Sequence, residues 1–453
     1  MKARYTIVSV LVLLAMVLAS CAPAATPAAP TTAPAAEATA TEAAPAEPTA
    51  APTEAAAEAS PEATAAATEA STEATGPATK VDCASDPFGC ATIPAGSTIK
   101  IGMGAPMTGD NAQFGVDISQ GAKIAVEDGG DIDGFKFELV VEDDGGTPEG
   151  GAAVANKLVS DPQIVAIAGH IFSGATASAM PIYEKAGIPM MSPSATNPDL
   201  TKSNSKVFNR VAFTDAAQGK FAAEYLFNTL GYKQIAVMHD GQAYGQGLAE
   251  VVAAHFKELG GEVVAEQAIT PGETDYSSPL SAIAAKKPQA LYYGGYVQEA
   301  VVLVNQMSQS GLEGVTFFGC DGTYGEDFIT RTSGNAEGAY SVALVPPESP
   351  ERTKFDDAYQ KEFGAVAGSL SPYTWNAYDS AAALIKAIKS VAYKADDGSL
   401  SVPRGALVDA VRGMKDFKGL SGTITCDETG ECNSSGPIFY VVKDGKWVVA
   451  DTK

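Results

Sequence analysis

Ile164-Val-Ala-Ile-Ala-Gly-His-Ile-Phe-Ser-Gly-Ala-Thr176 reads as a strand, a tight turn and the start of a helix. The run Ile164–Ala168 is apolar on every residue, as expected of a strand buried on both faces, and 175–186 follows with a helical pattern. The same grammar recurs on both sides. Ile99–Gly104 precedes a helical 120–127, and Phe137–Val141 precedes a helical 152–159. A second series alternates in the same way: helix 221–230, strand 235–238, helix 248–259, strand 262–268, helix 279–286, strand 290–293, helix 300–309 and strand 315–318. Alternation at this spacing predicts an α/β fold with two doubly wound parallel-sheet lobes. The break falls near Val211–Asp215, where a strand signal gives way to a helix start.

In such sheets the loops beyond the strands' carboxyl ends form the ligand crevice. Two of these loops are rich in hydroxyls: Gly169–Thr176, carrying Ser173, and Ser192-Pro-Ser-Ala-Thr-Asn-Pro-Asp-Leu200, carrying Ser194, Ala195 and Thr196. Hydroxyls beside uncapped helix N–H groups suit an anion, a carboxylate or a phosphate. The corresponding loops of the second series offer His239-Asp240 with Tyr244, Gly294-Gly295-Tyr296 and Gly319-Cys320-Asp321; Phe114 lies a few residues beyond the first strand. If the two sets face each other they suit a zwitterion, with the carboxylate on Ser173, Thr196 and backbone N–H, and the ammonium on Asp321 and Tyr296. An equally weighted reading of Asp321 is the N-cap of the next helix.

Other chemistries fit less well. The glycines of Ile101–Gly109 fail the dinucleotide fingerprint because Met107 stands at the third glycine position. Ser173 lacks a Gly-x-Ser-x-Gly elbow, and His170 reads better as a satisfied buried side chain than as a catalytic base. No acid–base pair is positioned for catalysis, so the chain is expected not to be an enzyme. The three histidines, His170, His239 and His255, are scattered without zinc spacing, so neither metal nor cofactor is expected. A net charge of -24 over 453 residues argues against nucleic acid as a partner.

The N-terminal part is not globular in composition. Lys2 and Arg4 precede an apolar run at 6–18, followed by Leu18-Ala-Ser-Cys21. This is a secretory signal, and the Cys resembles the acylated residue of a bacterial lipoprotein signal; an ordinary signal peptide with an incidental Cys is the plainer alternative. From 22 to about 80 the chain is almost entirely Ala, Thr, Pro, Glu and Ser, too poor in large apolar residues to form a core, and reads as a tether. In an exported chain, Cys83 with Cys90 and Cys426 with Cys432 read as two local disulfides, leaving Cys320 over.

Several segments together resemble the periplasmic leucine/isoleucine/valine-binding proteins of ABC transporters, which have the type I periplasmic-binding fold. They are Gly104-Ala-Pro-Met-Thr-Gly109, Gly169-His170 with Ser173 and Thr176, Ser192-Pro193 with Ala195-Thr-Asn-Pro198, His239-Asp240 with Tyr244-Gly245, Tyr292-Tyr-Gly-Gly-Tyr296, and Gly319 with Asp321-Gly322. They occur in the family's order, and the resemblance covers about 99–449. It implies a multi-strand hinge between the lobes, closure around a small amino acid, most simply a branched-chain one, and delivery to an ABC permease. It assigns Ser173, Ser194 and Thr196 to the carboxylate and part of the ammonium, Tyr296 and Asp321 to the ammonium, and Phe114 to the side-chain wall. Tyr244 and Tyr373 are further pocket candidates. Alternatives of the same fold are a receptor for an amide, urea or aromatic acid, and a sensor subunit for a signalling kinase.

Two departures stand out. The acid at 321 is Glu in the best-known members and Asp here, and a disulfide frequent in the family would fall at 146 and 172, which are Gly146 and Phe172. The expected layout is a signal at 1–20, a lipidated Cys and tether at 21–96 with the short Cys83–Cys90 segment, a first lobe from 97–214 plus 345–421, and a second from 215–344 plus 422–453. A monomer anchored outside the cytoplasm by Cys21 completes the expectation.

Overall fold

The computed structural model describes residues 81–432 and 436–451. Cys21 and the tether up to residue 80 lie outside the described residues.

Two sheets organise the chain. The first runs, in spatial order, Asp131–Ile132, Phe135–Asp143, Ile99–Ala105, Ile164–Ile167, Met190–Ser192 and Phe208–Arg210. It is parallel throughout except for the short edge hairpin of Asp131–Ile132 with Phe135–Lys136. Ile164, Val165, Ala166 and Ile167 are all buried, which explains why their run of sequence does not alternate. Full burial of each branched side chain contributes about 1.5–3 kcal/mol before chain entropy is counted.

The second sheet runs Lys446–Val449, Ile438–Lys443, Tyr340–Ala343, Thr316–Phe318, Ala290–Gly294, Gln234–His239 and Glu262–Ala268. Its last five strands are parallel, and the two C-terminal strands join antiparallel at the edge. Among the described residues the chain leaves one sheet for the other between Arg210 and Asp215 and between Ala343 and Pro350, and Cys432 lies with the first sheet while Ile438 lies in the second. The lobes are therefore joined by several strands of chain, a hinge rather than a flexible link.

Helix starts follow their caps. The helix Asp215–Glu224 begins earlier than its apolar residues suggest, because Thr214 caps it by accepting from the Ala217 N–H at 3.2 Å. It continues into a π-helical turn at Tyr225–Thr229. The helix Thr374–Val391 returns to the first lobe and packs on Ala112–Asp128. A Cβ at Gly121 would lie 2.4 Å from the Thr374 carbonyl oxygen, so this close crossing needs glycine there. Asp117 pins the same junction. Its buried carboxylate accepts from Tyr359 Oη at 2.7 Å, Ser371 Oγ at 2.5 Å and Thr374 Oγ1 at 2.8 Å. Burial pushes its pKa up to about 6 despite those bonds.

Two segments lie elsewhere than the sequence suggested. Cys90–Ile93, read as the end of the tether, pairs antiparallel with Leu400–Pro403. Residues 422–432, expected in the second lobe, stay with the first. Thr423–Ile424 pairs with Phe417–Lys418, the Arg210 N–H donates to the Gly430 carbonyl, and the Cys432 N–H donates to the Arg210 carbonyl. Both pairings join residues far apart in sequence, which local patterning does not encode. Cys83–Cys90 and Cys426–Cys432 are disulfides, and Cys320 is a free, buried thiol.

Candidate functional site

The first lobe contributes two turns. The helix Ser173–Ala186 starts at its hydroxyl with no side-chain cap, since Phe172 at the N-cap position has no acceptor. Its first N–H groups are left for another acceptor. The Ser173 hydroxyl accepts from the Asn197 N–H at 3.3 Å, which ties the first turn to the second. Ser194 Oγ donates to the Ile171 carbonyl at 2.8 Å, and Ser192 Oγ to the His170 carbonyl at 2.6 Å.

Behind the second turn stands Arg210, whose side chain is fully buried. One guanidinium nitrogen, Nη1, donates to the Ala195 and Asn197 carbonyls at 2.9 and 2.8 Å. The remaining fork meets Glu431, with Nε at 2.9 Å and Nη2 at 2.5 Å. Arg210 therefore fixes the shape of 194–197, and Glu431, inside the Cys426–Cys432 loop, supplies the counter-charge.

The second lobe contributes the acid. Asp321 is 3% exposed and stands first in a short 3-10 turn whose N-cap position is Cys320. It accepts from Gln218 Nε2 at 2.6 Å and from Tyr244 Oη on the second lobe, and from Tyr373 Oη at 2.6 Å across the cleft. Asp215 stands close by, bonded to the same Gln218 amide at 3.3 Å. Burial pushes the carboxyl pKa of both acids above the usual range; at Asp215 the Asp321 charge adds to it, while at Asp321 the tyrosine and glutamine bonds oppose it. A cation in the cleft would reverse the sign of this effect.

Between the lobes lies a small cavity of about 20 Å³ lined by Phe114, Ser173, Ser194, Tyr244, Tyr296, Asp321 and Tyr373, together with Ile171, Phe172 and Gly322. Ala195 and Thr196 do not line it. The Ala195 N–H is taken by Ser192 Oγ at 2.9 Å, and Thr196 is fully buried beside Asp215. The Asn197 side-chain amide donates to the Ala243 carbonyl at 2.6 Å, a second bond from lobe to lobe. The cleft thus has oriented N–H groups and hydroxyls on one side, a buried carboxylate on the other and aromatic rings between them.

The periplasmic binding protein family model matches residues 98–446. The chain belongs to this family. It is 32% identical over 353 residues to an amino acid binding protein of Pseudomonas aeruginosa, covering 77% of this chain and 91% of that one. The crystal structure of a leucine binding protein from Thermotoga maritima superposes with a TM-score of 0.71 at 28% identity, covering 78% of this chain and 98% of that one. A branched-chain amino acid transporter substrate binding protein from Streptococcus pneumoniae, solved with isoleucine, gives 0.68 at 30% identity, with coverage of 77% and 97%.

The lining comes from both lobes, and some of the supporting residues have no local signature. Gln218 and Asp215 approach Asp321 from a hundred residues away, and Arg210 is a lone cation after a strand. The only sequence signal for the first two was the helix start near residue 215. His170 has the structural role assigned to it, with its ring nitrogens bonded to Asp144 at 2.7 Å and Tyr183 at 2.9 Å, all buried.

Proposed function

We propose that this periplasmic binding protein is an extracytoplasmic receptor for a branched-chain amino acid, which it captures by closing its lobes and presents to an ABC permease. The observation that carries this reading is the placement of Asp321. Its buried carboxylate faces the uncapped helix start at Ser173 across one aromatic-walled space, a spacing of charges that suits a small α-amino acid. The ligand carboxylate is assigned to Ser173, Ser194 and the first N–H groups of 173–186, with Thr196 and Ala195 shaping the turn from behind. The ammonium is assigned to Asp321, with Tyr244, Tyr296 and Tyr373 around it and Phe114 on the apolar wall.

No bond is made or broken. Ligand contacts made on both lobes exist only in the closed form, and that difference in affinity shifts the population toward closure. The names of the Pseudomonas, Thermotoga and Streptococcus relatives support the ligand class. Amides, ureas and aromatic acids carry no cation and would leave a buried carboxylate unmatched. Anchoring through acylated Cys21, and action as a monomer, complete the proposal and rest on the signal-like residues 1–21 and the family resemblance. Among the described residues no helix is long and apolar enough to cross a membrane.

Isothermal calorimetry with the twenty amino acids tests the reading. Leucine, isoleucine and valine are expected to bind at micromolar concentrations or below. Failure of every α-amino acid to bind more tightly than millimolar would remove it.

A further inference from the structure

Phe172 occupies an unusual position for a core aromatic. It closes the strand-end loop of the first lobe, immediately before the helix start at Ser173, yet its ring stacks on Tyr296 of the second lobe with centroids 4.2 Å apart and planes 15° apart. Phe114 meets both rings edge-on, at 5.7 Å and 6.1 Å, and Tyr244 leans on Tyr296 at 5.2 Å. These four rings form one wall of the cleft, and the Phe172–Tyr296 stack spans its two lobes.

Phe172 is also held from behind. A Cβ at Gly146 would come within 2.7 Å of Phe172 Cδ2, so the ring lies against bare backbone there. The loop carrying Gly146 is fixed by Asp144, whose Oδ1 accepts from the Gly146 N–H at 2.9 Å and whose Oδ2 bonds His170 Nδ1 at 2.7 Å. His170 lies two residues before Phe172, so one buried carboxylate braces both the ring's loop and the surface behind it. The ring has no room to withdraw when a longer ligand enters.

We propose that Phe172 is the specificity-determining residue that limits the length of the ligand side chain. The inference rests on the amino-acid reading above. The polar atoms of the site fix the α-carbon end between Ser173 and Asp321, so a side chain extends toward the ring wall and meets Phe172 as the lobes close. An aromatic side chain meets this fixed ring, keeps Tyr296 from stacking on it and opposes closure. One methylene too many in a shaped apolar pocket changes binding roughly 10- to 200-fold, and a ring exceeds that margin.

The test is calorimetry with L-valine, L-leucine and L-phenylalanine on the unsubstituted receptor, on Phe172→Ala and on the milder Phe172→Leu, which keeps an apolar side chain if the alanine variant folds poorly. The unsubstituted receptor is expected to bind leucine at least a hundredfold more tightly than phenylalanine. Either variant is expected to lower that ratio at least tenfold, with valine losing affinity. An unchanged leucine-to-phenylalanine ratio in the folded variants would overturn this inference while leaving the receptor reading intact. Absence of amino-acid binding by the unsubstituted receptor would instead overturn the receptor reading and this inference with it.

Discussion

Asp321→Asn is expected to weaken L-leucine binding by about 2–4 kcal/mol, roughly 30- to 1,000-fold, because a buried ammonium then loses its counter-charge. The amide oxygen can keep the Oδ1 bonds from Gln218 and Tyr244 while the new NH2 donates to the Tyr373 hydroxyl oxygen, so the fold should survive and the loss should appear in binding alone. A pH signature accompanies it. Burial holds the Asp321 carboxyl above its ordinary range, with Asp215 raised beside it. A bound ammonium favours the ionised form, so binding releases a proton where the carboxyl is partly protonated. Affinity should therefore fall as the pH is lowered into that raised range, and it should fall less steeply in Asp321→Asn. Titrations at pH 5 and pH 8 on both proteins measure this. Equal affinity of the two proteins at pH 8 would return Asp321 to a purely structural role.

Arg210→Met carries the second large effect. The guanidinium satisfies two carbonyls of the 194–197 turn and both oxygens of Glu431, and its side chain is fully buried. Removing it leaves a carboxylate and two carbonyls without their partner, at a cost of about 3–5 kcal/mol. The melting temperature should drop on the order of 10 °C. Arg210→Lys should recover little of this, because a point charge cannot replace a planar fork that reaches both Asn197 and Glu431. A change of a degree or less in either variant would show that the turn holds its shape by other means.

Much of this architecture was legible because the physics that sets it is local. Strands buried on both faces read as unbroken apolar runs, as Ile164–Ile167 does, and the loops after them carry the hydroxyls and glycines that a ligand crevice needs. Seven of the residues singled out from sequence, from Phe114 to Tyr373, meet in one space. What escaped was set by distance along the chain. Cys90–Ile93 finds its partner strand at 400–403, and 422–432 completes the edge of a sheet begun at residue 99. The helix at 215–224 buries Asp215, Gln218, Gly219, Ala222 and Ala223, and it packs closely; a Cβ at Gly219 would come 2.6 Å from Val251. Such a helix shows little apolar periodicity to read. Phe172 entered the sequence reading only as a departure from a family disulfide, since nothing near it in the chain announces the Tyr296 ring it stacks on.

A cleft that clamps a zwitterion, with the anion at the Ser173 helix start and the cation at Asp321, must distinguish an amino acid from its deaminated counterpart. Calorimetric titration of the receptor with L-leucine and with 4-methylpentanoate, the same molecule without its amino group, tests it most directly. Binding of leucine at least a hundredfold tighter than the deaminated acid is the predicted result; equal affinity for the two would contradict the clamp.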